Sequence, residues 1–132
     1  MNFKYISKNE LRGWWHWIKT GLEKVRAKGH NSWLPEDVYC DCFEQRSFLY
    51  VGLKNGKPVG FTVLQPIDKT LHVWVAYMEN HTHDDFLSGW QHIQNIANNA
   101  NMDKVSFTSV RKGWTRHAKE LGFTPATWEF TL

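Results

Sequence analysis

Cysteine, long apolar runs and a surplus of one charge are what this sequence has least of. Its two cysteines are Cys40 and Cys42. On a helix the i,i+2 spacing points the two side chains in different directions, a poor geometry for a disulfide. Both are therefore expected as reduced thiols of a cytosolic-type compartment. No apolar run approaches the roughly 18 residues of a membrane span, and Met1–Ile6 lacks the apolar core of a signal peptide, so neither a membrane partner nor secretion is expected. Asn80-His81-Thr82 matches a glycosylation sequon that has no use without a secretory route. The net charge of +3 is not gathered into a continuous Lys/Arg stripe, which argues against nucleic acid as the partner. His81-x-His83 beside Asp84, and Cys40-x-Cys42, each fall short of a four-ligand set, so no metal is expected.

Aromatic residues are abundant instead. Eight Trp, eight Phe and four Tyr in 132 residues indicate a packed interior within one domain spanning 1–132. Met1–Ile6 reads as a short edge strand. Ser7-Lys8-Asn9-Glu10 reads as a capping box that opens a helix. Leu11, Trp14, Trp15, Ile18, Leu22 and Val25 recur at helical spacing until Lys28-Gly29 ends the element. Trp15 and Trp17 lie about 200° apart on that helix, so one of its three tryptophans is expected to face solvent as a protein-contact anchor. Pro35 suits the first position of a second helix, with Glu36 and Asp37 near its positive end, running to about Gln45.

Three strands follow. Leu49, Val51 and Leu53 alternate, Asn55-Gly56 supplies a hairpin turn, and Val59, Phe61 and Val63 alternate again until Pro66 interrupts. Leu71, Val73, Val75 and Tyr77 continue the period of two. A helix starts at Asp84 or Asp85 and buries Phe86, Trp90, Ile93 and Ala97. Lys104–Ser109 is then a strand, and strand, helix and strand in this order make a parallel crossover. A short helix over about Gly113–Leu121 ends at Gly122, and Thr127–Leu132 reads as a closing strand. The fold class expected is α/β (α+β), with a mixed, mostly antiparallel sheet and helices on both faces.

This element order resembles the GNAT N-acetyltransferase superfamily. Gly56-Lys57-Pro58-Val59-Gly60-Phe61 looks like its second-to-third strand hairpin, and Ala118-Lys119-Glu120-Leu121-Gly122-Phe123 is similar to its C-terminal helix-to-strand signature. A closer resemblance is to small GNAT-like proteins of tailed bacteriophages. It runs through Trp33-Leu34-Pro35-Glu36-Asp37-Val38-Tyr39, Leu71–Tyr77, and the segment from Ser109 through Arg111, Gly113, Trp114 and Arg116 to Phe123.

The resemblance implies an acetyl-CoA site. Its diphosphate would rest on backbone N–H groups at the start of the helix after the fourth strand, and its thiol would reach the gap between the parted strands. The family pattern there is Arg/Gln-x-x-Gly-x-Gly/Ala. This chain has Asn80-His81-Thr82-His83-Asp84-Asp85-Phe86, with neither glycine nor permanent cation, and Asp84 is expected to cap the helix and fill the anion seat with its own carboxylate. Aligning on Gly122-Phe123 puts Arg111, Trp114 and Ala118 where the family often has Asn, Ala and Tyr. Ala118 therefore cannot supply the phenol that protonates the departing thiolate, and Trp114 either fills the cofactor channel or packs as core.

Candidate cofactor contacts are thus His81, Thr82, His83, Asp84, Arg111 and Trp114, and candidate bases are Glu79 and His72. The expectation is a non-catalytic phage protein of the host cytoplasm or virion, with no cofactor, acting through a phage or host protein in assembly or host interaction. The alternative is an active N-acetyltransferase that binds acetyl-CoA through an atypical loop. Arg111, Lys112, Arg116 and Lys119 form a short basic set that fits a phosphate, nucleic acid or an acidic protein surface less well than an ordinary solvated helix face.

Overall fold

The computed structural model describes residues 1–29, 32–107 and 114–124, with side chains in the last stretch described from residue 118 onward. The element order is β1 (Asn2–Ile6), α1 (Lys8–Ala27), α2 (Pro35–Phe43), β2 (Phe48–Lys54), β3 (Lys57–Ile67), β4 (Thr70–Met78), α3 (His83–Asn99), β5 (Lys104–Phe107) and α4 (Trp114–Leu121). The described strands form one sheet in the order β1-β2-β3-β4-β5, antiparallel except for the β4–β5 pair. The expected closing strand at Thr127–Leu132, and the last residues of the strand expected over Lys104–Ser109, lie outside the described residues.

The local signals act where the sequence puts them. Glu10 Oε1 accepts from the Ser7 N–H at 3.3 Å and from Ser7 Oγ at 3.1 Å, closing the start of α1. Asn55 and Gly56 both take positive φ, 53° and 77°, as a two-residue turn of type I′ requires between β2 and β3. At the end of α4, Gly122 has φ 88°, its N–H donates to the Lys119 carbonyl, and the Phe123 N–H reaches back to Ala118. That is a Schellman ending.

Two cores lie on opposite faces of the sheet. Leu11, Ile18 and Leu22 of α1 and Val38 and Cys42 of α2 pack on Ile6, Leu49, Val51, Phe61, Val63 and Val75. On the other face Ile93 and Ala97 of α3 pack on Leu64 and Leu71, with Tyr50, Val73, Trp90 and Val105 alongside. Helix α1 comes so close to the sheet that a Cβ on Gly21 would meet the Phe61 ring at 2.6 Å and the Tyr77 ring at 2.9 Å.

Several expectations are corrected. Trp14, Trp15 and Trp17 all pack against the core and none is exposed. The helix lies in a corner, so Trp17 meets Phe61 on the sheet at 5.8 Å while Trp15 meets Tyr39 on α2 at 4.9 Å. Two apolar walls accommodate indoles 200° apart. Helix α2 stops at Phe43 rather than Gln45, whose φ of 61° is left-handed. Pro66 does not interrupt β3. It lies beyond the last β2 pair, Phe48↔Leu64, where among the described residues the strand has β4 as its one paired neighbour and a ladder bond can be missing on the other side.

The period of two through β4 is broken as well. Val63 pairs with Val75 but Leu64 with Val73, so Trp74 is an extra residue, a β-bulge. Leu71 and Val73 join the α3-side core, whereas Trp74, Val75 and Tyr77 join the α1-side core. Of the cysteines, Cys40 is exposed and Cys42 buried, and burial pushes the Cys42 thiol up to about 12, which makes it unreactive.

His92 on α3 stacks on Phe3 of β1 at 4.1 Å and meets the edge of Tyr50 at 4.9 Å. Among the described residues its buried Nε2 has no hydrogen-bond partner, and desolvation lowers its pKa, as it does for His72. A histidine held neutral by the fold stabilises it above the unfolded value of about 6.5 and withdraws that stabilisation as pH falls below it. Denaturant melts at pH 7.5 and pH 5.5 should show lower stability at the acid value, and His92→Phe should shrink the difference. A second change, Gly60→Ala, sets a methyl against the backbone of Tyr77 and Met78 and should cost about 2 kcal/mol in the same assay.

Candidate functional site

Strand β4 and the turn that leads to α3 carry most of the residues singled out from the sequence. The helix start is closed on itself. Thr82 is the N-cap, its Oγ1 accepting from the Asp85 N–H at 3.1 Å, while Asp85 Oδ2 accepts from the Thr82 N–H at 3.0 Å. This corrects the expectation for Asp84, which is exposed in the first turn; the carboxylate that closes the cap is Asp85. The register Thr82-x-x-Asp85 was itself a capping-box signal.

Asp85 is 8% exposed and also accepts from Lys54 Nζ at 2.9 Å. The Thr82 N–H and then the Lys54 ammonium hold its carboxyl below the usual range. A permanent cation therefore does stand at the start of α3. It comes from the end of β2, 31 residues earlier in the chain, and no local motif announces it.

By helix geometry the N–H groups of His83 and Asp84 have no acceptor within α3. His81, Thr82, His83 and Asp84 are all exposed, and His83 stacks on Phe86 with centroids 6.3 Å apart. Arg111 lies outside the described residues, and Trp114 is described only as the first residue of α4. Ala118 is on α4, which contains no tyrosine. Among the described residues no group of three potential metal ligands converges, and no helix is long and apolar enough to cross a membrane.

The two candidate bases are not brought together. Seven residues of extended chain separate them, roughly 20 Å. Glu79 follows the end of β4; its N–H donates to the Val59 carbonyl at 2.7 Å and its Oε1 accepts from the Tyr77 hydroxyl at 3.0 Å. Burial first, and then Glu79, raise the Tyr77 pKa, and Lys24 Nζ stands 6.0 Å from the Tyr77 ring centre.

His72 is two residues before the Trp74 bulge. Its neighbours Leu71 and Val73 face the α3-side core, so its half-buried ring turns to the α1–α2 face. There His72 Nδ1 lies 2.9 Å from Ser106 Oγ, on the parallel strand β5, where the two residues are register partners. On the other side His72 pairs with Gln65 of β3, whose Nε2 donates to Asp41 Oδ2 at 3.4 Å. Asp41 also accepts from Ser47 Oγ at 2.8 Å and pairs with Arg46 at 2.9 Å. The partnerships of Lys54, Ser106 and Asp41 depend on strand register and helix placement, which sequence spacing does not reveal.

This overall fold recurs in solved structures. A probable acetyltransferase matches over 100% of this chain and 97% of its own, with TM-score 0.71 at 17% identity. The chain has the GNAT acetyltransferase fold. A ribosomal-protein-alanine N-acetyltransferase from Brucella melitensis biovar Abortus 2308 matches over 99% of this chain and 96% of its own, with TM-score 0.70 at 11% identity. A predicted acetyltransferase with acetyl-CoA from Clostridium acetobutylicum matches over 99% and 94%, with TM-score 0.70 at 12% identity. No protein-family model and no curated protein matches the chain in sequence. At such identities the likeness is one of fold, and function has to be argued from the site.

The Lys54–Asp85 pair is testable on its own. In Lys54→Met the Asp85 carboxyl should titrate at higher pH by NMR. The native pair stabilises the fold above the unfolded carboxyl value and loses that effect as pH falls through the lowered one, so the variant should show less acid-induced destabilisation below about pH 4.

Proposed function

We propose that this GNAT-fold domain transfers an acetyl group from acetyl-CoA to an amine, using His72 as the base. The observation that carries the reading is the His72–Ser106 pair across the parallel β4–β5 pairing, two residues before the β4 bulge. In the GNAT arrangement that is the region to which the cofactor's thiol would reach. Bound acetyl-CoA would supply the thioester.

His72 is suited to receive the proton that the attacking amine must lose, because desolvation keeps its imidazole neutral at pH 7 with a free lone pair. Glu79, at the far end of β4 and bonded to Tyr77, is the weaker candidate on geometry. Lys54 and the first-turn N–H groups of His83 and Asp84 are of the right kind to hold a diphosphate, and the Asp84 carboxylate opposes it. Ala118 leaves α4 without an acidic hydroxyl, so the departing thiolate would draw its proton from elsewhere.

A second reading has its own support. The closed Thr82–Asp85 cap and the exposed Asp84 put negative charge where the diphosphate would approach. On that reading the chain is a non-catalytic phage component of virion, assembly or host interaction, as the resemblance to small phage proteins implied, and its partner is a phage or host protein.

Calorimetric titration with acetyl-CoA separates the two. Saturable binding at micromolar ligand supports transfer, and no heat at millimolar ligand supports the interaction role. If transfer is right, His72→Gln should lower kcat by about 10²-fold with an amine acceptor. Asp84→Asn should tighten acetyl-CoA binding by about two- to fivefold, the size of a charge effect at a helix start.

A further inference from the structure

We infer that Ser106 is a positioning residue that fixes the tautomer of His72, so that Nδ1 carries the proton and Nε2 is presented bare to the acceptor. The inference rests on the transfer reading above for the direction of the hydrogen bond; the His72–Ser106 contact itself stands without it. Parallel pairing makes His72 and Ser106 register partners, and the Nδ1 to Oγ distance of 2.9 Å is that of a made hydrogen bond.

With Nδ1 engaged, Nε2 is the one nitrogen left to meet a substrate. A base must offer a lone pair there. The single ring proton of the neutral imidazole then belongs on Nδ1, donated to the Ser106 oxygen.

The surroundings leave this work to Ser106. The other cross-strand neighbour of His72 is the neutral Gln65, and the carboxylate beyond it, Asp41, is taken up by Ser47, Arg46 and Gln65 itself. Among the described residues no carboxylate bonds to the ring. Among the described residues, the group that steadies the imidazolium formed during turnover is thus a hydroxyl dipole rather than a charge, which keeps the base weak and lets it release the proton readily.

In the transfer step the amine nitrogen bonds to the thioester carbonyl carbon and the carbon–sulfur bond breaks. The amine proton passes to His72 Nε2, and the thiolate leaves with the electron pair and is protonated from solvent. His72 then returns its proton to water, so the sum is amine plus acetyl-CoA giving amide plus CoA thiol.

The test is ¹⁵N NMR of His72 at pH 7.5, without ligand, in the native chain, Ser106→Ala and Ser106→Thr. The expected result is an Nδ1–H tautomer in the native and Thr forms and its loss in the Ala form. An Nε2–H tautomer in the native chain, or one that Ser106→Ala leaves unchanged, overturns the inference. In parallel, Ser106→Ala should lower kcat about tenfold at unchanged KM for acetyl-CoA, with Ser106→Thr restoring it, as expected for one hydrogen bond to a group that becomes charged. If the tautomer is as expected but no amine is acetylated, the transfer reading fails and the assignment of Ser106 stands. If acetylation proceeds and Ser106→Ala changes neither tautomer nor kcat, the inference fails and the transfer reading survives.

Discussion

Strand β4 has to serve two cores, and the bulge at Trp74 is what lets it. Ahead of the bulge, Leu71 and Val73 face α3; after it, Val75 and Tyr77 face α1. Without the extra residue, strict alternation would send Val75 and Tyr77 to the α3 side and put Trp74 and Ala76 under α1. The close approach of α1 at Gly21, which rests on the Phe61 and Tyr77 rings, would then lose the Tyr77 ring. His72 lies on the α1 side ahead of the bulge, opposite its neighbours Leu71 and Val73, and the polar row from Ser106 through His72 and Gln65 to Asp41 crosses the sheet on that face.

At the other end of β4 the balance is electrostatic. A helix start favours negative charge, and in this chain an internal carboxylate, Asp85, takes up part of that field through the Thr82 cap. Burial of that carboxylate is made tolerable by Lys54, which arrives from the β2–β3 hairpin. One ion pair thus ties the hairpin to α3 and brings positive charge to a turn whose own sequence has none.

Much of the fold was legible because short-range rules governed it. The caps at Ser7 and Pro35, the Asn55-Gly56 turn and the Gly122 ending each place all their chemistry within a few residues. Where the reading failed, the physical cause is the same each time. Trp15 and Trp17 looked incompatible because one apolar wall was assumed where α1 meets two, and Pro66 looked like a stop because β3 was assumed to have neighbours on both sides along its whole length. Leu71 to Tyr77 looked like one face because both faces of the sheet are apolar, so a change of face leaves no mark in the pattern. Of the site, His72, Glu79 and the Thr82–Asp85 turn could be picked out by residue type and position, whereas Lys54 and Ser106 could not.

What the sequence by itself determined is the order and kind of the elements and the turns and caps between them. Those properties depend on neighbours three or four residues apart. Tertiary structure alone decided that Lys54 reaches Asp85, that Ser106 stands beside His72, and that the bulge turns β4 from one core to the other. Each of these is a contact between strands or between strand and helix, set by register and by the packing of two cores at once, and register is a property of pairs of segments that no single segment contains.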